Sequence, residues 1–446
     1  MSKKTLVLVL VAALLMAPLA TGMAAPKKAR VVFWYSLSGK IAEAIRGLVE
    51  EFNKTHSDIE VEGIYQGSYD DSMNKLRTMI LTNAPMKTRP HIVQIYDIGT
   101  KFMIDTKATV PVQKYIDRDN VNVDVFEPGI LAYYTINDQL YSMPFNISTP
   151  LLYINKDMFR KAGLDPDKPP RTFDEFAECA RKLTIVDKSG KVVQYGASIA
   201  IYGWFFEQFC ATSNVLYANN GNGRDSVATA SAFAGPDGAA ILDWWYSMVR
   251  EGTSLNLGKG TANTQKAFIA GQVAMTLDST AVLNTILTGV AGQFDVGTGY
   301  LPRPKNAKGG VIPGGGTLWL MGGHPSEEEA AAWEFIKWAA EPKQQAWWHM
   351  NTGYFPVTKL AYDLPELKEH HKKYPQFATA VQQLRDTPRN RATQGGLLGV
   401  FSQARQTIED AIEQVLLGKA KSLDALKSAA ADIDAAIVRY NESVGK

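Results

Sequence analysis

Residues 31–65, VVFWYSLSGKIAEAIRGLVEEFNKTHSDIEVEGIY, decide the fold class. VVFWY (31–35) is a short apolar run and reads as a buried strand. KIAEAIRGLVEEFNKTH follows, with Ile41, Ile45, Leu48, Val49 and Phe52 on one helical face. IEVEGIY (59–65) alternates as a second strand. Beyond it, YDDSMNKLRTMILTN carries Met73, Leu76, Met79 and Ile80 at helical spacing, and HIVQIYDI (91–98) reads as a third buried strand. The order β-α-β-α-β predicts a mostly parallel sheet covered by helices.

The pattern continues outward. In PPRTFDEFAECARKL, Thr172 and Glu175 are spaced as a capping box behind two prolines, and Phe173, Phe176, Ala177, Ala180 and Leu183 form an apolar face. PDGAAILDWWYSMV reads as a helix. TQKAFIAGQVAMTLDST reads as helix, turn at Gly271, then strand. FDVGTGYLP and GGTLWLMGG are strand-like. Ser326 and Glu329 have the spacing of a second capping box, opening a tryptophan-rich helix. That helix stops in NTGYFPVT (351–358), where Gly353 and Pro356 end it and Tyr354 stands beside a Phe-Pro pair. The last 40 or so residues are helical, with a stop at Gly418. With no repeat, low-complexity tract or long linker, two α/β lobes joined by strand-like crossings fit better than separate domains in series.

The chain has 446 residues, ample for two lobes; 46% are hydrophobic and 21% charged, a globular composition. Lys3 and Lys4 precede TLVLVLVAALLM and then APLATGMA, the pattern of an export signal cleaved after Ala24. No cysteine follows the apolar run to accept a lipid anchor, so a periplasmic location is expected. Loss of residues 1–24 takes away two lysines and no acids, bringing the formal charge from +2 to 0. That balance points to neither nucleic acid nor an anionic membrane as partner. Export would permit a disulfide, but the positions of Cys179 and Cys210 do not establish proximity.

Catalytic signatures are absent from the sequence: there is no GxxxxGK[ST], GxSxG or HExxH. His370 and His371 are adjacent, so they do not share a helix face, and they read as a solvated pair rather than metal ligands. DRDNVNVDVFEP (117–128) has Asn122 and Pro128 where a calcium loop needs glycine and glutamate. No metal and no cofactor are expected. Other segments suit ligand binding. PGGGT (313–317) either offers backbone N–H groups to an anion or is a plain flexible turn. YQGSYDDS and FNISTP are loops at strand ends, where α/β sheets place ligands. Trp204 can stack on a ligand or serve as core.

The order and spacing of FWYS, YQGSYDDS, QIYDIGT, PFNISTPLLYINKDMFRKAGLDPDKPPRTFDEF, FIAGQVAMT, PGGGTLW and NTGYFPVTKLAYDL resemble the extracellular solute-binding proteins of ABC importers. Within that family they resemble the branch that binds sn-glycerol-3-phosphate. The resemblance implies a two-lobed α/β binding fold of type II, each lobe a mixed sheet flanked by helices. The lobes are drawn as residues 26–145 with 282–322, and 146–281 with 323–446. Ligand would bind in the cleft and be shut in by lobe closure, then pass to a permease with an ATPase partner; a monomer is expected. By position it assigns ligand contacts to Tyr69, Asp97, Ser148, Ser279, Gly315, Tyr354 and Arg405, with Trp204 as an aromatic wall.

On this reading Arg405 supplies a permanently charged fork to a phosphate, and Asp97 accepts from glycerol hydroxyls at the other end. The bland alternative for Arg405 is an ion pair with Glu409, one helical turn away. Asp97 stands where the branch has glutamate, and SIAIY lacks the second tryptophan expected ahead of Gly203-Trp204. Both departures leave room for a diester such as glycerophosphocholine. A sugar or oligosaccharide carrier of the same fold, and an exported hydrolase, are the competing expectations.

Overall fold

The computed structural model describes residues 28–446; the expected export signal lies outside the described residues. The chain first lays down β1 (Ala29–Tyr35), β2 (Ile59–Tyr65), β3 (Ile92–Tyr96), β4 (Thr109–Val110) and β5 (Met143–Ser148). It then crosses at Thr149 and builds a second sheet from β6 (Pro150–Asn155), β7 (Ile185–Val186), β8 (Val192–Ser198), β9 (Val273–Ser279) and β10 (Val296–Gly299). Finally β11 (Gly314–Met321) returns to the first sheet. The orders are β2-β1-β3-β11-β4, with β5 also on β11, and β10-β6-β9-β8-β7. β1 runs parallel to β2 and β3, whereas β11 is antiparallel to β3, β4 and β5, so the sheet is mixed rather than mostly parallel.

Local chemistry accounts for the helices. α1 (Gly39–Thr55) buries Ile45, Leu48, Val49 and Phe52 as its spacing predicts. α2 (Tyr69–Leu81) starts from a capping box of Ser68 and Asp71 that the sequence reading did not single out. α3 (Phe173–Leu183) starts from the expected Thr172–Glu175 box. α3 and α6 (Ala262–Ile269) pack on the second sheet, α4 (Gly203–Thr212) and α5 (Pro236–Arg250) pack on each other, and Gly271 makes the turn into β9 at φ +68°. The second expected box, Ser326 with Glu329, does not form. Pro325 takes the capping position of α7 (Ser326–Ala339), and Glu329 turns inward to accept from the Gly323 N–H (3.2 Å) and the Tyr115 hydroxyl (3.3 Å).

The lobes divide differently from expectation. The aromatic face of α7 packs on the first lobe, with Phe335 5.5 Å from Phe33 and 5.1 Å from Phe52 between ring centres. α8 (Pro342–Thr352) lies beside α1, so residues 326–352 belong to the first lobe, not the second. β10 pairs with β6, which puts residues 282–299 in the second lobe and moves the return crossing to residues 300–313. α9 (Gln376–Arg385) is tied to the second sheet through Gln383 to the Pro150 carbonyl (2.7 Å) and Gln376 to the Val296 carbonyl (2.8 Å). α10 (Phe401–Leu416) and α11 (Ser422–Ser443) pack on α4 and α5. A further crossing therefore runs from α8 to α9, and NTGYFPVT opens it.

His371 is not a solvated partner of His370: its Nε2 lies 2.8 Å from Nε2 of the buried His349. Cys179 and Cys210 are both free thiols. Among the described residues no helix is long and apolar enough to cross a membrane.

Candidate functional site

A cavity of about 370 Å³ lies between the lobes, within the usual range for small-molecule sites. It sits at the carboxyl ends of β3 and β9, beside the crossings. Tyr69, Asp97, Ser148, Trp204, Ser279, Gly315, Tyr354 and Arg405 all line it. A roomier hollow of about 500 Å³ near Pro128 and Thr393 holds none of these residues. Of its charged groups, Arg385 pairs with Glu127 and Arg391 with Asp225, each at 2.5 Å.

Arg405 is buried, not at the surface. Its Nε donates to Glu207 Oε1 (2.5 Å), and its Nη2 donates to Glu207 Oε2 (2.9 Å) and Asp97 Oδ2 (3.0 Å). Glu409, the partner expected of a surface pair, instead accepts the Gly203 N–H at 2.9 Å. The cleft thus contains a carboxylate–guanidinium–carboxylate triad in which Asp97 contacts Arg405 rather than sitting at the far end. Burial raises the Glu207 carboxyl to about 7 and lifts that of Asp97 as well, each against the pull of Arg405. The Nη1 of Arg405 has no partner among the described residues, so one edge of the guanidinium is free to donate.

Tyr69 opens α2, and its ring stacks on Tyr96 with centres 5.0 Å apart. Its hydroxyl accepts from Asn146 Nδ2 (2.8 Å), Asn146 Oδ1 accepts from Gln94 (2.9 Å), and Gln94 Oε1 accepts from the Ser36 N–H (2.9 Å). This buried chain fixes the phenol and leaves its proton to donate. Tyr354 is also buried. Its ring lies parallel to Trp348, its carbonyl meets His349 Nδ1 at 2.7 Å, and its hydroxyl is within hydrogen-bonding reach of Asn146 and Tyr69. Burial raises Tyr354 to about 12 and Tyr69 well above its ordinary value, so both remain neutral O–H groups. Ser279 Oγ accepts the Ala281 N–H (3.1 Å), and its own proton stays available.

PGGGT is neither a flexible turn nor a detached anion nest. Gly314, Gly315 and Gly316 are strand residues of β11, paired to Ser148, Ile147 and Asn146 of β5. Their missing side chains allow close packing: a Cβ on Gly314 would lie 2.6 Å from Trp204, and one on Gly316 would lie 2.9 Å from the Tyr69 hydroxyl. Trp204, from the second lobe, therefore seats on the first lobe's glycine strand. Tyr202 lines the wall beside it, 6.0 Å away, so SIAIY does supply an aromatic there.

Sequence reasoning missed Glu207, Asn146 and Gln94. Glu207 reads as the one charged residue inside GWFFEQF, and a charge in that mostly apolar run is the one local signal that could have marked it. Further ties across the lobes run from Tyr440 (2.9 Å) and Lys446 (2.6 Å) to Asp105, and from Ser402 to Asp70. The described residues include one cluster of three possible metal ligands, His91, His324 and Glu328. His91 Nδ1 accepts the Val32 N–H (2.9 Å), so its Nε2 carries the proton and donates to Glu328 (3.0 Å); that wiring opposes metal binding.

A family model described as bacterial extracellular solute-binding protein matches residues 47–379. The sn-glycerol-3-phosphate-binding periplasmic protein UgpB of Pectobacterium atrosepticum is 33% identical over 422 residues, covering 93% of this chain and 92% of the relative. The protein of the same name from Escherichia coli K12 is 32% identical over 437 residues, covering 95% and 97%. The structure of UgpB from Mycobacterium tuberculosis in complex with glycerophosphocholine aligns with a TM-score of 0.77 at 21% identity, over 92% of this chain and 99% of that one. MalE from Xanthomonas citri, a sugar-binding protein, aligns at 0.75 and 20%, over 94% and 99%. These two structures share the two-lobed fold. From the family match and the full-length relatives, the chain belongs to the bacterial extracellular solute-binding proteins, carriers for ABC import rather than enzymes.

Proposed function

We propose that the protein captures a glycerol phosphate ester in the cleft, with a glycerophosphodiester such as glycerophosphocholine preferred over glycerol-3-phosphate. As a member of its family it works with an ABC permease and ATPase. The observation that carries the ligand class is Arg405, buried in the cavity with one edge of its guanidinium free. A phosphate oxygen there would meet Nη1, and the hydroxyls of Tyr69, Ser279 and Tyr354 complete a donor set. Tyr69, Asp97, Gly315 and Tyr354 come from the first lobe or its crossing, and Trp204, Ser279 and Arg405 from the second. Ligand contacts shared in this way favour the closed state.

The preference for a diester follows from the triad. Asp97 and Glu207 already share the charge of Arg405. A second negative charge on the phosphate, a few ångström from both carboxylates, costs on the order of 2–3 kcal/mol. Titration calorimetry should show glycerophosphocholine binding at least about tenfold tighter than glycerol-3-phosphate, since 1.4 kcal/mol is a factor of ten. A monoester that binds tenfold tighter would remove the diester preference. Maltose heats matching those of the esters would favour a sugar carrier.

Tyr354→Phe deletes only a hydroxyl. It is expected to weaken phosphoglycerol binding about tenfold, the worth of one hydrogen bond to an anion. The ring's packing on Trp348 is kept, so the stability loss should stay at about 1 kcal/mol, the worth of the hydroxyl's bonding to Asn146 and Tyr69. Unchanged affinity would make Tyr354 a purely structural residue.

A further inference from the structure

Asp278 is the penultimate residue of β9, just before Ser279, lines the cavity, and is 3% exposed. Its Oδ1 accepts the Ser279 N–H at 2.7 Å, and the Gln265 side chain nearby favours the charged form of the carboxyl. Gln265 is itself anchored to Thr261, another residue of the cavity wall, at 3.1 Å. The Oδ2 atom is buried with no hydrogen-bond partner among the described residues. Among the described residues no arginine, lysine or histidine acts on this carboxyl, in contrast to Asp97 and Glu207, which share Arg405. Burial accordingly pushes it up to about 7.

An orphaned buried carboxyl oxygen is costly, and native structures rarely keep one without use. The fold needs only Oδ1, and an asparagine would serve the Ser279 N–H as well. Asp97, expected to receive the ligand's hydroxyls, already has its Oδ2 on Arg405, and the nearby backbone N–H groups of Asp97 and Ile98 favour its charged form. Of the carboxyls lining this cavity, Asp278 is the one whose buried oxygen has no hydrogen-bond partner among the described residues.

We propose that Asp278 is a ligand-binding residue of the second lobe, whose Oδ2 accepts a hydrogen bond from a hydroxyl or ammonium group of the bound phosphoglycerol. The assignment rests on the phosphoglycerol reading of the same cleft. It makes the second lobe a reader of the ligand's donor groups while Arg405 holds the phosphate. The Asp278 carboxylate also meets a ligand cation more favourably than it meets water-free protein.

Asp278→Asn is the test, because it keeps the shape and the acceptor for Ser279 and puts an N–H group where Oδ2 stood. Calorimetry on the full chain and the variant would use glycerol-3-phosphate, glycerophosphocholine and glycerophosphoethanolamine. Equal weakening of all three, at least tenfold, assigns the bond to the glycerol hydroxyls they share. Weakening of glycerophosphoethanolamine alone assigns it to the ammonium arm. The unliganded melting temperature should hold or rise, since a desolvated carboxyl is gone. Changes below twofold for every ligand would overturn the proposal and leave the phosphoglycerol reading intact. If none of the three binds the native protein, the reading itself fails and the proposal with it. Asp278→Ser repeats the comparison should the asparagine variant not fold.

Discussion

Arg405→Ala is expected to abolish phosphoglycerol binding, by roughly 100-fold or more, and to destabilise the protein at the same time. The binding loss follows from removing the one cation in the cavity and its free Nη1 edge. The stability loss follows from the triad. Glu207 is 4% exposed and Asp97 is 4% exposed, and both would be left as buried carboxyls without a partner. Breaking a buried pair by deleting one member costs about 3–5 kcal/mol. The two effects separate in a second variant. Arg405→Ala with Glu207→Gln removes one stranded charge, so the denaturation midpoint should recover much of its loss while calorimetry still shows no binding. A double variant that regains affinity would place the phosphate elsewhere. Arg405→Ala alone with unchanged stability would contradict the triad.

Gly315→Ala is expected to be the most damaging single-methyl change in the cleft. Gly315 has φ +89°, and a Cβ there would lie 1.9 Å from the Asn146 carbonyl oxygen and 3.2 Å from the Ile147 Cα. Those are backbone atoms of the paired strand β5, which cannot swing aside as a side chain can. Relief requires parting β11 from β5, and that shifts Asn146 and with it the Tyr69 hydroxyl. A cost on the order of 3 kcal/mol or more is expected from strain and lost pairing. Gly163→Ala is the control: φ is +71° but nothing lies within 4 Å, so only the backbone penalty of about 1 kcal/mol applies. Urea denaturation of the two variants measures the difference. Equal midpoints would show that β11 can yield at Gly315.

The reach of sequence reasoning follows interaction range. The α1 and α3 faces and the Thr172–Glu175 cap were legible because a helix repeats its buried face every three or four residues. The Ser326–Glu329 cap had equally good spacing and did not form, because Glu329 found Tyr115 and Gly323 instead. His371 read as solvated because its neighbour in sequence is polar, whereas its neighbour in space is the buried His349. The lobe boundaries failed at residues 282–299 and 326–352 for a related reason. Strand and helix character is local, but the sheet that receives β10, or the strand that α7 covers, is chosen by packing.

By itself, then, the sequence determined the alternation of elements, the helix stop at Gly353, a two-lobed α/β fold, and through motif order the family. Through the same resemblance it also marked residues that line the cleft. Only the tertiary structure decided what those residues are to one another. Asp97 and Arg405 are 308 positions apart and touch at 3.0 Å; Glu207, 198 positions from Arg405, holds the same guanidinium. No periodicity encodes such pairs, since their energy appears only when the two lobes exclude water and leave each charge to find its partner.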